Sequence, residues 1–178
     1  WAIASPLKPA PEPPYVIEFR SQTANQGKLT SHGAVFGADW TGGPCPDWSS
    51  LNGVYAHNNC FNHFYNTNLI WSSGTDLVLL WERIDTLVYC PGCGGSPLKR
   101  LGDVPPSLLL HPNANDWNTY RIEVRESDIK FYLNDVLRYT YNDTRWIDEP
   151  YFGVFASTDE YSNSTWRYEY FRITPLDN

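Results

Sequence analysis

Residues 115–141 read NDWNTYRIEVRESDIKFYLNDVLRYTY, and no other stretch limits the fold of this chain so sharply. Apolar and polar side chains alternate through Tyr120, Ile122 and Val124, then again through Ile129, Phe131 and Leu133. A period of two marks strands with one buried face, because successive side chains leave a sheet on opposite sides. Strands are expected over 118–126, 129–133 and 136–141. Glu126-Ser127-Asp128 turns the first into the second, and Asn134-Asp135 forms a two-residue turn from residues able to take positive φ.

The flanking chain reads the same way. In YVIEFRSQ, starting at Tyr15, residues Tyr15, Ile17 and Phe19 alternate with Val16, Glu18 and Arg20. HGAVFGADW reads as a glycine-punctuated strand. DLVLLWERIDTLVY is apolar enough for a central strand, although its spacing also fits a short helix. Two more strands are expected over 151–158 and 166–176, with one short strand in the connecting chain after Cys93. No amphipathic helix appears. The predicted class is all-β, a two-sheet antiparallel β-sandwich of the jelly-roll kind. At 178 residues the chain suits one domain. Five prolines in residues 5–14 predict an extended N-terminal segment or linker over 1–14, with the sandwich spanning 15–178.

Charge and cysteine content narrow the partners. The chain carries net charge -7 and no Lys/Arg cluster, which argues against nucleic acid, whose affinity rests on cationic phosphate contacts. No apolar run reaches a membrane span, so no membrane insertion is expected. There is no Met, so the chain reads as a processed mature form or an excised domain, tethered to other domains in a larger protein. Cys45, Cys60, Cys90 and Cys93 suggest disulfides in a secreted, extracellular protein. Local spacing favours Cys45–Cys60 and Cys90–Cys93, although four cysteines allow three pairings. Sequons occur at Asn142 and Asn163.

The order W-N-x-Y-R-I-E-V, I-K-F-Y-L-N-D, Y-F-G-V-F-A-S and Y-E-Y-F-R-I resembles the concanavalin A-like lectin/glucanase jelly rolls. The nearer likeness is to the laminin-G-like and 3-keto-disaccharide-hydrolase-like branches. It covers residues 115–176 well and 15–40 loosely, and departs at Asp135, where glycine would be usual. These are framework positions, so the resemblance implies the fold more than an activity. Modules of this type often hold a structural calcium between first and last strands. Glu18 and Asp177 are the carboxylates that stand at the matching ends here, and oxygen ligands suit that ion.

Aromatic residues make up 16% of the chain, with 8 Trp and 12 Tyr, more than one small core can hold. Sugar recognition needs flat apolar plates for pyranose faces and amide or carboxylate groups for hydroxyls. The expected sugar-binding residues are Trp40, Trp48, Tyr55, Asn58, Asn59 and Trp71, all placed in or beside loops of 40–71. Tyr65, Asp47, Asn52, Asn62 and Trp81 accompany them. No E-x-D-x-E run of the glucanase type occurs, and on a strand Glu82 and Asp85 would face opposite ways. His57 and His63 with the cysteines could be drawn as a zinc site, but disulfides explain the cysteines more simply. No G-x-S-x-G or phosphate loop is present. The predicted function is a non-catalytic, lectin-like module binding polysaccharide or glycan, with no catalytic residues assigned. A secreted glycoside hydrolase or polysaccharide lyase on the same scaffold is the alternative, and a laminin-G-like adhesion module the next.

Overall fold

A computed structural model describes residues 2–6, 8–23, 29–40, 61–72, 76–85, 98–104, 115–158 and 165–177. Among these there is no helix. The strands in chain order are β1 (Ala2–Ala4), β2 (Tyr15–Thr23), β3 (Leu29–Trp40), β4 (Phe61–Ser72), β5 (Asp76–Asp85) and β6 (Leu98–Val104). β7 (Asn118–Val124), β8 (Ile129–Leu133), β9 (Val136–Tyr141), β10 (Tyr151–Thr158) and β11 (Trp166–Pro175) follow. They form a six-stranded sheet, β1-β10-β3-β4-β5-β6, and a five-stranded sheet, β11-β2-β7-β8-β9. Every pairing is antiparallel. This is the two-sheet sandwich expected from the alternation.

The core between the sheets follows directly from that alternation. The five-stranded sheet contributes Tyr15, Ile17 and Phe19 from β2, Tyr120, Ile122 and Val124 from β7, and Ile129, Phe131 and Leu133 from β8. The six-stranded sheet answers with Ala34, Phe36 and Tyr65. Phe19 anchors an aromatic stack, with Tyr120 at 4.7 Å and Phe171 at 5.7 Å between ring centroids. The hairpin turn also matches its residues. Asn134 and Asp135 take φ of 47° and 66°, which suits the right-handed twist of the flanking strands. The Asn134 side chain accepts a hydrogen bond from the Thr119 amide at 2.8 Å, tying the turn back to β7.

Two glycines of HGAVFGADW hold the six-stranded sheet to its neighbours. A Cβ on Gly33 would lie 1.6 Å from the Thr67 carbonyl oxygen, so only glycine lets β4 come that close. At the same place the Thr67 hydroxyl accepts from the Ala34 amide at 3.0 Å. Gly37 has φ of +55° within the bulge between Phe36 and Asp39, and a Cβ there would lie 2.5 Å from the Trp146 carbonyl oxygen. The bulge thus receives the segment that connects β9 to β10. Tyr65 pins that segment: its hydroxyl donates to Asp143 and accepts from the Trp146 amide at 3.3 Å.

The Pro-rich stretch lies along the sandwich rather than away from it. Ala2–Ala4 pairs with β10 as an edge strand, and Ala10 packs on the core while its amide donates to the Pro150 carbonyl at 2.7 Å. Proline, without an amide hydrogen, suits a segment that runs over the body instead of within a sheet. β5 settles the ambiguity of DLVLLWERID in favour of a strand. The long stretch read as loops and short strands also contains a full strand, since β4 runs through Phe61–Ser72.

Candidate functional site

Strands β3, β4 and β10 carry apolar side chains on both faces. Tyr65 points between the sheets, so its neighbours Phe64 and Asn66 point the other way. On that outer face Val35, Phe64 and Phe155 are fully buried, and Ala38, Phe61, Ile3, Trp40 and Tyr151 pack with them. Trp40 and Tyr151 are partly exposed and meet edge to face at 5.9 Å. Beside Trp40, the Asn62 amide donates to the Asp39 carboxylate at 2.7 Å.

Asn66 is the polar residue set into this apolar face. It is 1% exposed, and among the described residues neither its amide nitrogen nor its amide oxygen has a hydrogen-bond partner. A buried amide left unpaired costs about 1–3 kcal/mol, so this position is destabilising unless something satisfies it. Its strand register places it between Val35 on β3 and Glu82 on β5, and Glu82 stands opposite Arg100 on β6. The partly exposed rings lie elsewhere on the face, since Trp40 stands opposite Phe61, five residues along β4 from Asn66.

At the same end, His63 stacks on Trp146 at 4.3 Å, and its Nε2 lies 3.4 Å from a Glu149 carboxylate oxygen. That pair is within ionic reach but not aligned as a hydrogen bond. A Ser–His pair also exists, Ser21 Oγ to His32 Nε2 at 2.6 Å. It lies inside the sandwich, where His32 stacks on Trp166 at 3.9 Å and burial pushes its imidazole down to about 3. Burial likewise raises the Tyr15, Tyr120 and Tyr168 hydroxyls. No substrate reaches Ser21, so the pair packs the core rather than forming a nucleophile.

The expected sugar-binding residues divide sharply. Trp40 sits on the outer face, while Trp71 takes a β4 position opposite Thr30 and Leu77. Trp48, Tyr55, Asn58 and Asn59 lie outside the described residues, as do Cys45, Cys60, Cys90 and Cys93. Glu18, expected as a calcium ligand, has one oxygen bonded by the Tyr170 hydroxyl at 2.8 Å and the Arg172 guanidinium at 2.6 Å. Asp177 follows β11 beyond Pro175, which pairs with Tyr15, so the two carboxylates stand at different rows of the sheet. Among the described residues no group of three His, Cys, Asp or Glu is placed to hold a metal. Asn66 and Tyr151 were not singled out from sequence. The available signal was asparagine at 62, 66 and 68 within one strand, a residue type that strands ordinarily exclude.

Order, layers and core together define a two-sheet antiparallel β-sandwich of the jelly-roll kind. No family model matches the chain, and no curated protein matches it. Solved structures do. The carbohydrate-binding module CBM66 from Bacillus subtilis aligns at a TM-score of 0.58 and 12% identity, over 97% of this chain and 76% of that one. Sheep galectin-11 aligns at 0.55 and 9% identity, over 97% and 96%. The laminarinase catalytic domain from Thermotoga maritima aligns at 0.57 and 13% identity, over 97% and 66%. At such identities the likeness is one of fold.

Proposed function

We infer that the chain is a non-catalytic glycan-binding sandwich, with its sugar site on the outer face of the six-stranded sheet. The observation that carries this reading is the partly exposed Trp40–Tyr151 pair beside the Asp39–Asn62 contact, flat rings with polar groups at the edge of an apolar face. A sugar diol would donate to the Asp39 carboxylate and accept from the Asn62 amide, groups with more hydrogen-bonding sites than their one mutual contact uses. Trp40 and Tyr151 supply the rings against which a pyranose stacks, and the Asp39–Asn62 pair offers further polar contacts. The similar structures include a carbohydrate-binding module, a galectin and a laminarinase domain, which supports a glycan partner. In this reading the protein works outside the cell.

A hydrolase is the second reading, favoured by one feature: Glu82 holds the register position beside Asn66. Glycoside hydrolysis by the usual route needs a pair of carboxylates flanking the bond. The test is a panel of soluble and insoluble polysaccharides, with bound protein and released reducing sugar read in the same tubes. The binding module predicts retention without release, weakened by Trp40→Ala. Release that Glu82→Gln abolishes would make the protein an enzyme. Neither retention nor release would point to a protein partner.

A further inference from the structure

The outer face of the five-stranded sheet has a different chemistry from the face that holds Asn66. Its residues alternate with the core, so β2 presents Glu18 and Arg20, β7 presents Arg121 and Glu123, β8 presents Lys130 and Tyr132, and β11 presents Tyr170 and Arg172. One cross-strand row runs Arg172, Glu18, Arg121, Tyr132 over four neighbouring strands. Strand spacing puts the two arginines of that row about 10 Å apart, two strands at roughly 4.8 Å each.

Three arginines on this face lie over aromatic rings. Arg121 sits 4.8 Å from the Tyr132 centroid, Arg172 5.1 Å from Tyr170, and Arg20 5.3 Å from Trp117. A guanidinium stacked on a ring is held flat, with N–H edges turned outward and little left to order on binding. Each arginine also touches a carboxylate, but one or two contacts do not use five donors. Glu123, 3% exposed, is shared by Arg121 at 2.5 Å and Arg125 at 3.0 Å, which leaves that trio one positive charge in excess. Lys130 is the register partner of Glu123 on β8. The strands of this face thus carry more cations than carboxylates on a chain of net charge -7.

From this charge arrangement we propose that the outer face of the five-stranded sheet binds polyanionic glycan, with Arg121 and Arg172 receiving sulfate or carboxylate groups along one chain. A fixed guanidinium fork fits such oxyanions in a bidentate manner, and the row matches about a disaccharide between anionic groups. Nucleic acid fits poorly, because Glu18, Glu123 and Glu169 lie among the cations and would repel a phosphate on every nucleotide. Anions separated by neutral rings tolerate that mosaic. This face lies across the sandwich from Asn66, so the two sites can fail separately.

The experiment is titration of the full chain with κ-carrageenan and hyaluronate, which carry one sulfate or one carboxylate per disaccharide, and with unsulfated dextran and duplex DNA, at two salt concentrations. Wild type is expected to bind the two anionic glycans, more weakly at high salt, and to bind neither dextran through this face nor DNA. The double variant Arg121→Gln, Arg172→Gln should weaken anionic binding at least about tenfold, from two lost charge-assisted contacts. Arg121→Lys, Arg172→Lys keeps the charge and fold but not the fork, and should fall between. An unchanged thermal midpoint in the lysine variant guards against misfolding. The proposal is overturned if neither anionic glycan binds, if both variants bind as wild type does, or if DNA binds as well as the glycans.

Discussion

The two outward faces of this sandwich are built by the same alternation and end in opposite chemistry. The five-stranded sheet turns out a mosaic of Arg, Glu and Lys, and its core positions lie only between the sheets. The six-stranded sheet buries Phe36 and Tyr65 inward and Val35, Phe64 and Phe155 outward, so β3, β4 and β10 are apolar on both sides. A sheet with one wet face is held by one core. A sheet buried on both faces has two, and a polar residue placed in the second stands out as Asn66 does.

That contrast predicts where substitutions bite. Phe131→Ala, in the core between the sheets, should cost about 3–5 kcal/mol by urea unfolding. Phe64→Ala should cost a similar amount if the outer cluster is a true second core, and under about 1 kcal/mol would show that it is not. Gly33→Ala puts a methyl against the Thr67 main chain, which cannot swing aside, and should cost roughly 3 kcal/mol. A variant as stable as wild type would mean that β3 and β4 do not approach so closely.

The interior polar pair gives a pH signature. His32 is buried neutral, so the unfolded chain takes up a proton that the folded one refuses between about 6.5 and about 3. Its contribution is full above that window and is lost as pH falls through it, at up to about 1.4 kcal/mol per pH unit. His32→Phe should flatten that part of the stability profile, and an unaltered slope would contradict the assignment. The smallest effect belongs to the hairpin. Asp135→Gly relieves a positive φ and should stabilise by about 0.5 kcal/mol, read as a small rise in thermal midpoint.

The same contrast explains how much could be read from residues alone. Ile129–Leu133, Val136–Tyr141 and Tyr151–Thr158 emerged at the expected bounds, because half-buried strands advertise themselves by a clean period of two. The six-stranded sheet was harder. The continuous apolar run of DLVLLWERID lacks the alternation and so also fits a helix, and β4 is hidden in a stretch rich in asparagine and aromatics. Within the proposed site, Trp40 is legible as an aromatic near turn residues. Tyr151 is not, because it meets Trp40 only through the pairing of β10 with β3, a long-range neighbourhood that no local spacing encodes.

The central claim, that the outer face of the six-stranded sheet carries a sugar site built on Trp40 and Tyr151, is tested most directly by Trp40→Ala. Its unfolding free energy and its affinity for whichever polysaccharide retains the wild-type protein would be measured on one preparation. The account predicts a stability loss of at most about 1–2 kcal/mol, since Trp40 is only partly buried, together with loss of glycan binding of about tenfold or more. Retained affinity in a stable variant would contradict it and move the site away from this face.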